Sequence, residues 1–242
     1  MFGHRPPGQW RFAQNNLGHV SRVTAARNAQ RLGHSFSSSS GWLNQTKRFL
    51  NQGNTWKYLL GINGAVFLLW QLNKNNPDFM VRNFTISKQG LSHGYFHTLI
   101  TYGFSHHEIW HFLVNMASLY FFGKAIEVVF GGPRLLALYL YGTLGGAAVQ
   151  LPNSRYSNVL LGASSATSAI LTFFILNFPQ EVIYLYFFPV PAWLFGIGFF
   201  GYSFLMMNKP GMNGGVAHGA HIGGILAGVI LYFASKGKIR RF

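Results

Sequence analysis

The chain is 242 residues long, the size of one ordinary domain, and holds no cysteine, which excludes disulfides, thiol catalysis and thiolate metal sites. Only 10% of its residues are charged and 49% are hydrophobic, where a soluble globular domain carries about 25% charged residues, so the composition is that of a membrane protein. The net charge of +15 lies largely in the first 57 residues and the last seven, which fits segments held on one side of a membrane rather than a nucleic-acid surface.

Residues 1–56 form a separate N-terminal segment. It has no acid, spreads Arg5, Arg11, Arg22, Arg27 and Arg31 along its length, and contains the run SFSSSS at 35–40. Arg-rich, Ser-rich and acid-free is the composition of a mitochondrial targeting segment; a basic arm that binds a partner is the other reading. From residue 57 to 235, six apolar stretches approach the roughly 20 residues that cross a bilayer as a helix. They are 57–72, 109–130, 134–151, 158–178, 192–207 and 216–234, and no convincing seventh is found. The first contains Asn63 and is the least secure. The expected fold is an all-α, six-helix transmembrane bundle. An even count puts both termini on one side, so the basic N-terminal segment and the basic tail 236–242 share a compartment, as the positive-inside rule favours. Gly142 and Gly146 on the third span, and Gly224 and Gly228 on the sixth, are spaced for close helix contact.

Polar side chains inside spans are costly and are functional candidates. The second, fourth and sixth helices all begin on the side away from the termini. His111 and Asn115 lie near the start of the second, Ser164 about six residues into the fourth and His221 about six into the sixth. A rise of 1.5 Å per residue puts all four roughly 5–10 Å below the same surface. His111 and Asn115, four apart, share a helix face. A serine beside a histidine makes a nucleophile with its general base. None of the four acids, Asp78, Glu108, Glu127 and Glu181, falls at this depth on these helices, so a serine enzyme here uses a dyad, not a triad. His111, Asn115 and the Ser164 N–H are then able to stabilise an oxyanion. The neighbours Ser165 and His218 are not separated from Ser164 and His221 by this reasoning. The stretch GASSATS puts Ser164 just after Gly162 and Ala163, where another backbone can approach.

The same region reads HEIWH at 107–111, which fits H-E-x-x-H, two zinc ligands with a catalytic glutamate. A zinc protease needs a third ligand; Asp78 precedes the motif in a loop, Glu127 and Glu181 fall towards the opposite side, and only His106, His218 or His221 are left to supply it.

FSHHEIWHFLVN (104–115) resembles the rhomboid signature F-x-H-x-x-x-x-H-x-x-x-N, with His106, His111 and Asn115 at its polar positions. LGASSA (161–166) resembles the G-x-S-x nucleophile motif of that family, and AHIGGILAG (220–228) its last-helix motif. FFGKAIE (121–127), LYLYGTLGG (138–146) and FPVP (188–191) are smaller matches. The resemblance covers about 57–235 and implies the rhomboid six-helix fold and an intramembrane serine protease that cleaves single-pass membrane proteins without a cofactor or metal. It implies Ser164 as nucleophile, His221 as general base, His111 and Asn115 in the oxyanion hole, and Gly162, Gly224 and Gly228 as packing positions beside the site. SRY before LGAS, the FSH opening and FPVP resemble the mitochondrial, presenilin-associated rhomboid-like branch, which implies the mitochondrial inner membrane with both termini in the matrix. Phe96-His97 stands where bacterial members carry Trp-Arg, and Ser165 stands where the family usually has glycine after the nucleophile. Ser165 keeps open a non-catalytic relative, recruited as a structural subunit of a large respiratory or ATP-synthase complex. The partners expected are the lipid bilayer, a membrane-protein substrate and, on the second reading, the subunits of such a complex; nucleic acid is not among them.

Overall fold

The computed structural model describes residues 53–185, 187–206 and 218–239. The basic segment before residue 53, residue 186, the glycine-rich stretch 207–217 and the last three residues of the tail lie outside them, together with the expectations made for those stretches. In chain order the elements are α1 (Thr55–Leu72), the short helices α2 (Asp78–Phe84), α3 (Lys88–Ser92) and α4 (Thr98–Thr101), and a 3-10 turn at Tyr102–Phe104. There follow α5 (Ile109–Ser118), continued by a π-turn at Leu119–Gly123 into α6 (Lys124–Phe130), then α7 (Gly132–Asn153) and α8 (Ser164–Asn177). Strands β1 (Val182–Leu185) and β2 (Phe188–Pro191), then α9 (Ala192–Met206) and α10 (His218–Ile239), complete the order. Among the described residues three runs, Ile109–Phe130, Gly132–Asn153 and His218–Ser235, are long and apolar enough to cross a membrane; α8 and α9 are apolar but shorter. The protein is a mostly helical membrane protein.

Small residues decide the centre. Helices α7, α8 and α10 pack against one another. A Cβ on Gly142 would lie 2.7 Å from that of Ala169, and one on Gly146 would strike the Ser165 side chain, so one glycine face of α7 lies on α8. Gly224 and Gly228 of α10 lie on the carbonyls of Ser165 and Ala169, so a second glycine face closes on α8 from the other side. Gly145 and Gly223 meet backbone to backbone and join α7 to α10. Backbones this close gain dispersion that side chains would block. Gly131, at φ +83°, makes the reversal between α6 and α7, a conformation in which a side chain would be strained.

Two differences from the sequence reading concern where helices begin and end. The fourth apolar stretch was expected over 158–178, but α8 starts at Ser164. Residues before it are held extended, because Leu160 pairs with Ile86 through two backbone hydrogen bonds of 2.8 and 2.9 Å. At the other end, α10 runs to Ile239, so residues 236–239 of the basic tail continue the helix.

Asn63, the doubtful feature of the first span, is fully buried and satisfied. Its Nδ2 donates to the Leu59 carbonyl and to the Tyr139 hydroxyl, both at 2.8 Å, and that hydroxyl donates to the Gly103 carbonyl. One amide thus joins α1 to α7 and to the turn at 102–104. Glu127 does similar work at the opposite end: its two carboxylate oxygens accept the backbone N–H groups of Thr55 (2.9 Å) and Trp56 (2.8 Å), the first donors of α1. Those donors have no partner inside the helix. Glu127→Ala removes the two carboxylate acceptors at this helix start and is expected to destabilise the fold by about 3 kcal/mol, with Glu127→Gln losing less because one acceptor oxygen remains. Unfolding of the two variants in mixed micelles checks the order.

Candidate active site

The starts of α5, α8 and α10 gather at one end of the bundle. Ser164 is the first residue of α8, not six residues inside it as expected, because the extended segment 158–163 takes the chain down to that level. The segment is clamped at successive residues. Gly162 N–H donates to the Tyr102 carbonyl at 3.0 Å, and Ala163 N–H to His106 Nε2 at 3.3 Å. His106 is fully buried. Burial, with His111 beside it as the smaller cause, pushes His106 down to about 3, so the ring is neutral, and with Nε2 accepting from Ala163 its proton sits on Nδ1. Gly162 has φ +126°, and a Cβ there would come within 2.6 Å of His111 Cε1. What approaches Gly162 is therefore the His111 ring, not the second backbone anticipated from the sequence.

The two adjacent serines part company. Ser165 is buried, with Oγ 3.5 Å from the Tyr102 hydroxyl and its side chain against Gly146. Ser164 is only partly buried; its carbonyl accepts from Ser168 (2.6 Å) and Thr167 (3.2 Å). As the opening of a helix, α8 presents N–H groups without intrahelical partners and a positive dipole end at Ser164.

Asn115 is held from two sides. Nδ2 donates to the His111 carbonyl at 2.8 Å, and Oδ1 accepts from Thr167 Oγ1 at 2.8 Å. One amide hydrogen of Asn115 is left for another acceptor. Thr167 was not singled out in the sequence, although its position three residues after Ser164 on a helix was a signal that it shares that residue's face.

His221 lies one turn before Gly224, which itself rests on the Ser165 carbonyl. Its ring stacks on Phe199 of α9, with centroids 5.9 Å apart and planes 26° apart, and meets His218 edge-on at 5.8 Å. His218 is turned to Tyr202 of α9, ring to ring at 5.4 Å. Among the described residues Ser164 Oγ and His221 share no formed hydrogen bond; such bonds are often long in a resting enzyme and tighten with substrate. The four residues the sequence put at one depth are thus on three helix starts at one end, with Phe199 and Thr167 added.

The zinc pattern comes apart in three dimensions. The helix begins at Ile109, so His107 and Glu108 precede it and do not share a face with His111. His107 is exposed and lies edge-on to Trp70 at 5.6 Å, while His111 turns to Gly162 and to His106, 5.2 Å between rings. Among the described residues no three metal-binding side chains come together.

A helical membrane protein with a serine at a helix start, histidines on the neighbouring helix starts and glycine-backed helices on both sides defines the class. Residues 93–237, more than half of the chain, match the Rhomboid domain, and the chain belongs to the rhomboid family. It is 38% identical to "RHOMBOID-like protein 12, mitochondrial" of Arabidopsis thaliana over 74% of this chain and 57% of that protein. It is 32% identical to "Rhomboid protein 1, mitochondrial" of Saccharomyces cerevisiae, over 74% of this chain and 52% of the relative. "Rhomboid-like protein 16, chloroplastic" of Arabidopsis thaliana is 31% identical over 79% and 64%. Presenilin-associated rhomboid-like proteins match at lower identity, and the likeness is to the mitochondrial branch. The chain spans between about half and two-thirds of the length of these three relatives.

Proposed function

We propose that this chain is an intramembrane serine endopeptidase that cleaves single-pass membrane proteins with Ser164 as nucleophile and His221 as general base. The observation that carries this reading is the meeting of three helix starts. His111 fills the space that Gly162 leaves open, and Gly224 brings the helix of His221 onto the backbone beside Ser164. His221 takes the proton as Ser164 Oγ adds to the scissile carbonyl. The oxyanion is met by the Ser164 N–H at the helix start, by His111 and by the free amide hydrogen of Asn115. Collapse breaks the C–N bond, and the amine leaves with the proton held on His221. Water, deprotonated by the same ring, then releases the acyl group and restores the serine. With no carboxylate to orient His221, its ring plane is set by packing, and the stack with Phe199 is the contact that sets it.

This reading takes α1, α5–α6, α7, α8, α9 and α10 as six spans of a domain over 57–235, with 1–56 as targeting segment or partner-binding arm and 236–242 as tail. Lys57 and Lys124 lie over the Trp56 ring, and Arg134 over Phe173, all at the end remote from Ser164. Cations gathered there support a matrix-facing end, and hence a site open to the intermembrane space of the mitochondrial inner membrane. The relatives' names support the mitochondrion. The reading as a non-catalytic subunit rested on Ser165, whose side chain packs between α7 and Tyr102, so it gains no support from the geometry.

The test is labelling of the protein in proteoliposomes by a fluorophosphonate, together with cleavage of a single-pass substrate. Phe199→Ala is expected to lower kcat about 10- to 100-fold with KM little changed, and Phe199→Tyr to restore most of it. Equal kcat in the alanine variant would show that the stack does not hold the base.

A further inference from the structure

The connection between α8 and α9 is a β-hairpin, in register Val182 with Pro191, Ile183 with Val190, Tyr184 with Pro189 and Leu185 with Phe188. Its sequence, VIYLYFFPVP, contains no charged residue. Tyr184 is 69% exposed, Phe187 91% and Phe188 74%, and Val182 and Pro189 are exposed beside them. A water-facing loop rarely presents so much apolar surface without a partner to cover it.

We propose that this hairpin is a membrane-interface anchor, whose aromatic tip inserts into the phospholipid headgroup layer on the side of the chain termini. The proposal rests on reading α8 and α9 as spans. Three observations commit it to lipid. The first is level. Phe178, just before the hairpin, lies beside Phe130, ring centroids 6.2 Å apart, and Phe130 ends α6 four residues before Arg134. Lys57 and Lys124 lie over Trp56, Lys124 also over Tyr120, and Arg134 over Phe173, so cations and aromatics gather at this end as they do at a headgroup layer. The hairpin follows directly after Phe178, and its base is closed by Ala192 N–H donating to the Glu181 carbonyl (2.8 Å) and Trp193 N–H to the Pro179 carbonyl (3.0 Å).

The second is continuity. Trp193, Leu194 and Ile197 of α9 are exposed apolar residues directly after the hairpin, so its surface extends the lipid-facing side of that helix. The third is backbone chemistry. A two-stranded sheet has two unpaired edges, which hydrocarbon does not tolerate and the hydrated interface does. Helices α8 and α9, of 14 and 15 residues, are each about 22 Å long against a hydrocarbon core of about 30 Å, so their connection is drawn into the boundary.

The absence of cysteine makes the test direct. Phe187→Cys and, separately, Phe188→Cys in the full chain each take one nitroxide label, and the protein is reconstituted in vesicles of phosphatidylcholine and phosphatidylethanolamine. Collision rates with oxygen, which concentrates in lipid, and with a water-soluble nickel chelate give the depth of the label. Ile197→Cys on α9 serves as the lipid-facing reference and Ser157→Cys on the opposite loop as the aqueous one. At 187 and 188 oxygen is expected to outrun nickel, at a depth between the two references. Nickel access equal to that at 157 overturns the anchor, and so does a label shielded from both reagents, which reports a protein partner or a second copy. Nickel access at 197 itself would instead overturn the reading of α9 as a span.

Discussion

Alanine at Ser164 is expected to abolish probe labelling and to lower substrate cleavage by about 10³-fold or more, with the unfolding midpoint unchanged. At 1.36 kcal/mol per decade that is about 4 kcal/mol of transition-state stabilisation, more than any loss of binding by a lone hydroxyl supplies. The fold is expected to survive because the Ser164 side chain is only partly buried and stands on the first turn of α8. Ser165→Ala is the matched comparison. It removes a buried hydroxyl 3.5 Å from that of Tyr102, a weak contact, and is expected to cost little activity. A chain that used Ser165 would show the reverse order, and labelling that persists in Ser164→Ala removes Ser164 from the chemistry. The same pairing separates the histidines: His221→Ala is expected to match Ser164→Ala, while His218→Ala, which removes an edge contact to His221, keeps part of the rate.

Much of this arrangement was legible from the sequence, for reasons that also explain what was not. Apolar length marks where a helix lies in a membrane, so the runs at 109–130, 132–153 and from 218 onward were found nearly to the residue. It does not mark where helical dihedrals begin. Leu160 and Leu161 are as apolar as any residue of α8, yet the pairing with Ile86 and the φ of Gly162 hold them extended, and Ser164 moved from mid-span to a helix start. The zinc pattern failed on the same point, since spacing puts His107 and His111 on one face only if both are helical. The glycine spacings on α7 and α10 announced close contacts, but a spacing does not name its partner. That both faces close on α8, the helix of the candidate nucleophile, comes only from the packing. The hairpin was not anticipated: the stretch between 178 and 192 fell outside the expected spans, and FPVP counted only towards the family resemblance. The alternation that makes it a strand pair is shared across two short segments, and neither carries the signal alone.

Valine at Gly224 is expected to unfold the site and the bundle together. A Cβ there would lie on the carbonyl, carbonyl carbon and Cα of Ser165, all backbone atoms that no rotamer change can move. The helices must therefore part by an ångström or more along the seam where α10 meets α8. Overpacking of this kind costs about 1–3 kcal/mol even where side chains can yield, and here the yielding element is a whole helix. The catalytic cost comes on top. Ser164 is the residue next to that contact and His221 is one turn above it, so a separation that the rest of the bundle absorbs is felt in full between hydroxyl and imidazole. A misplacement near 1 Å is worth about 100-fold in rate. Gly224→Val is thus expected to lower the unfolding midpoint and to lose probe labelling, with Gly224→Ala intermediate in both. Gly64→Ala on α1 is the control, because nothing lies within 4 Å of a Cβ at that position. It removes a flexible residue from a helix interior and is expected to be neutral or to stabilise by about 0.5–1 kcal/mol. Thermal unfolding and labelling of the three variants in the same lipid decide the matter: a Gly224→Val protein with wild-type midpoint and labelling would mean that α8 and α10 do not meet at this residue, and the geometry assigned to Ser164 and His221 would fall with it.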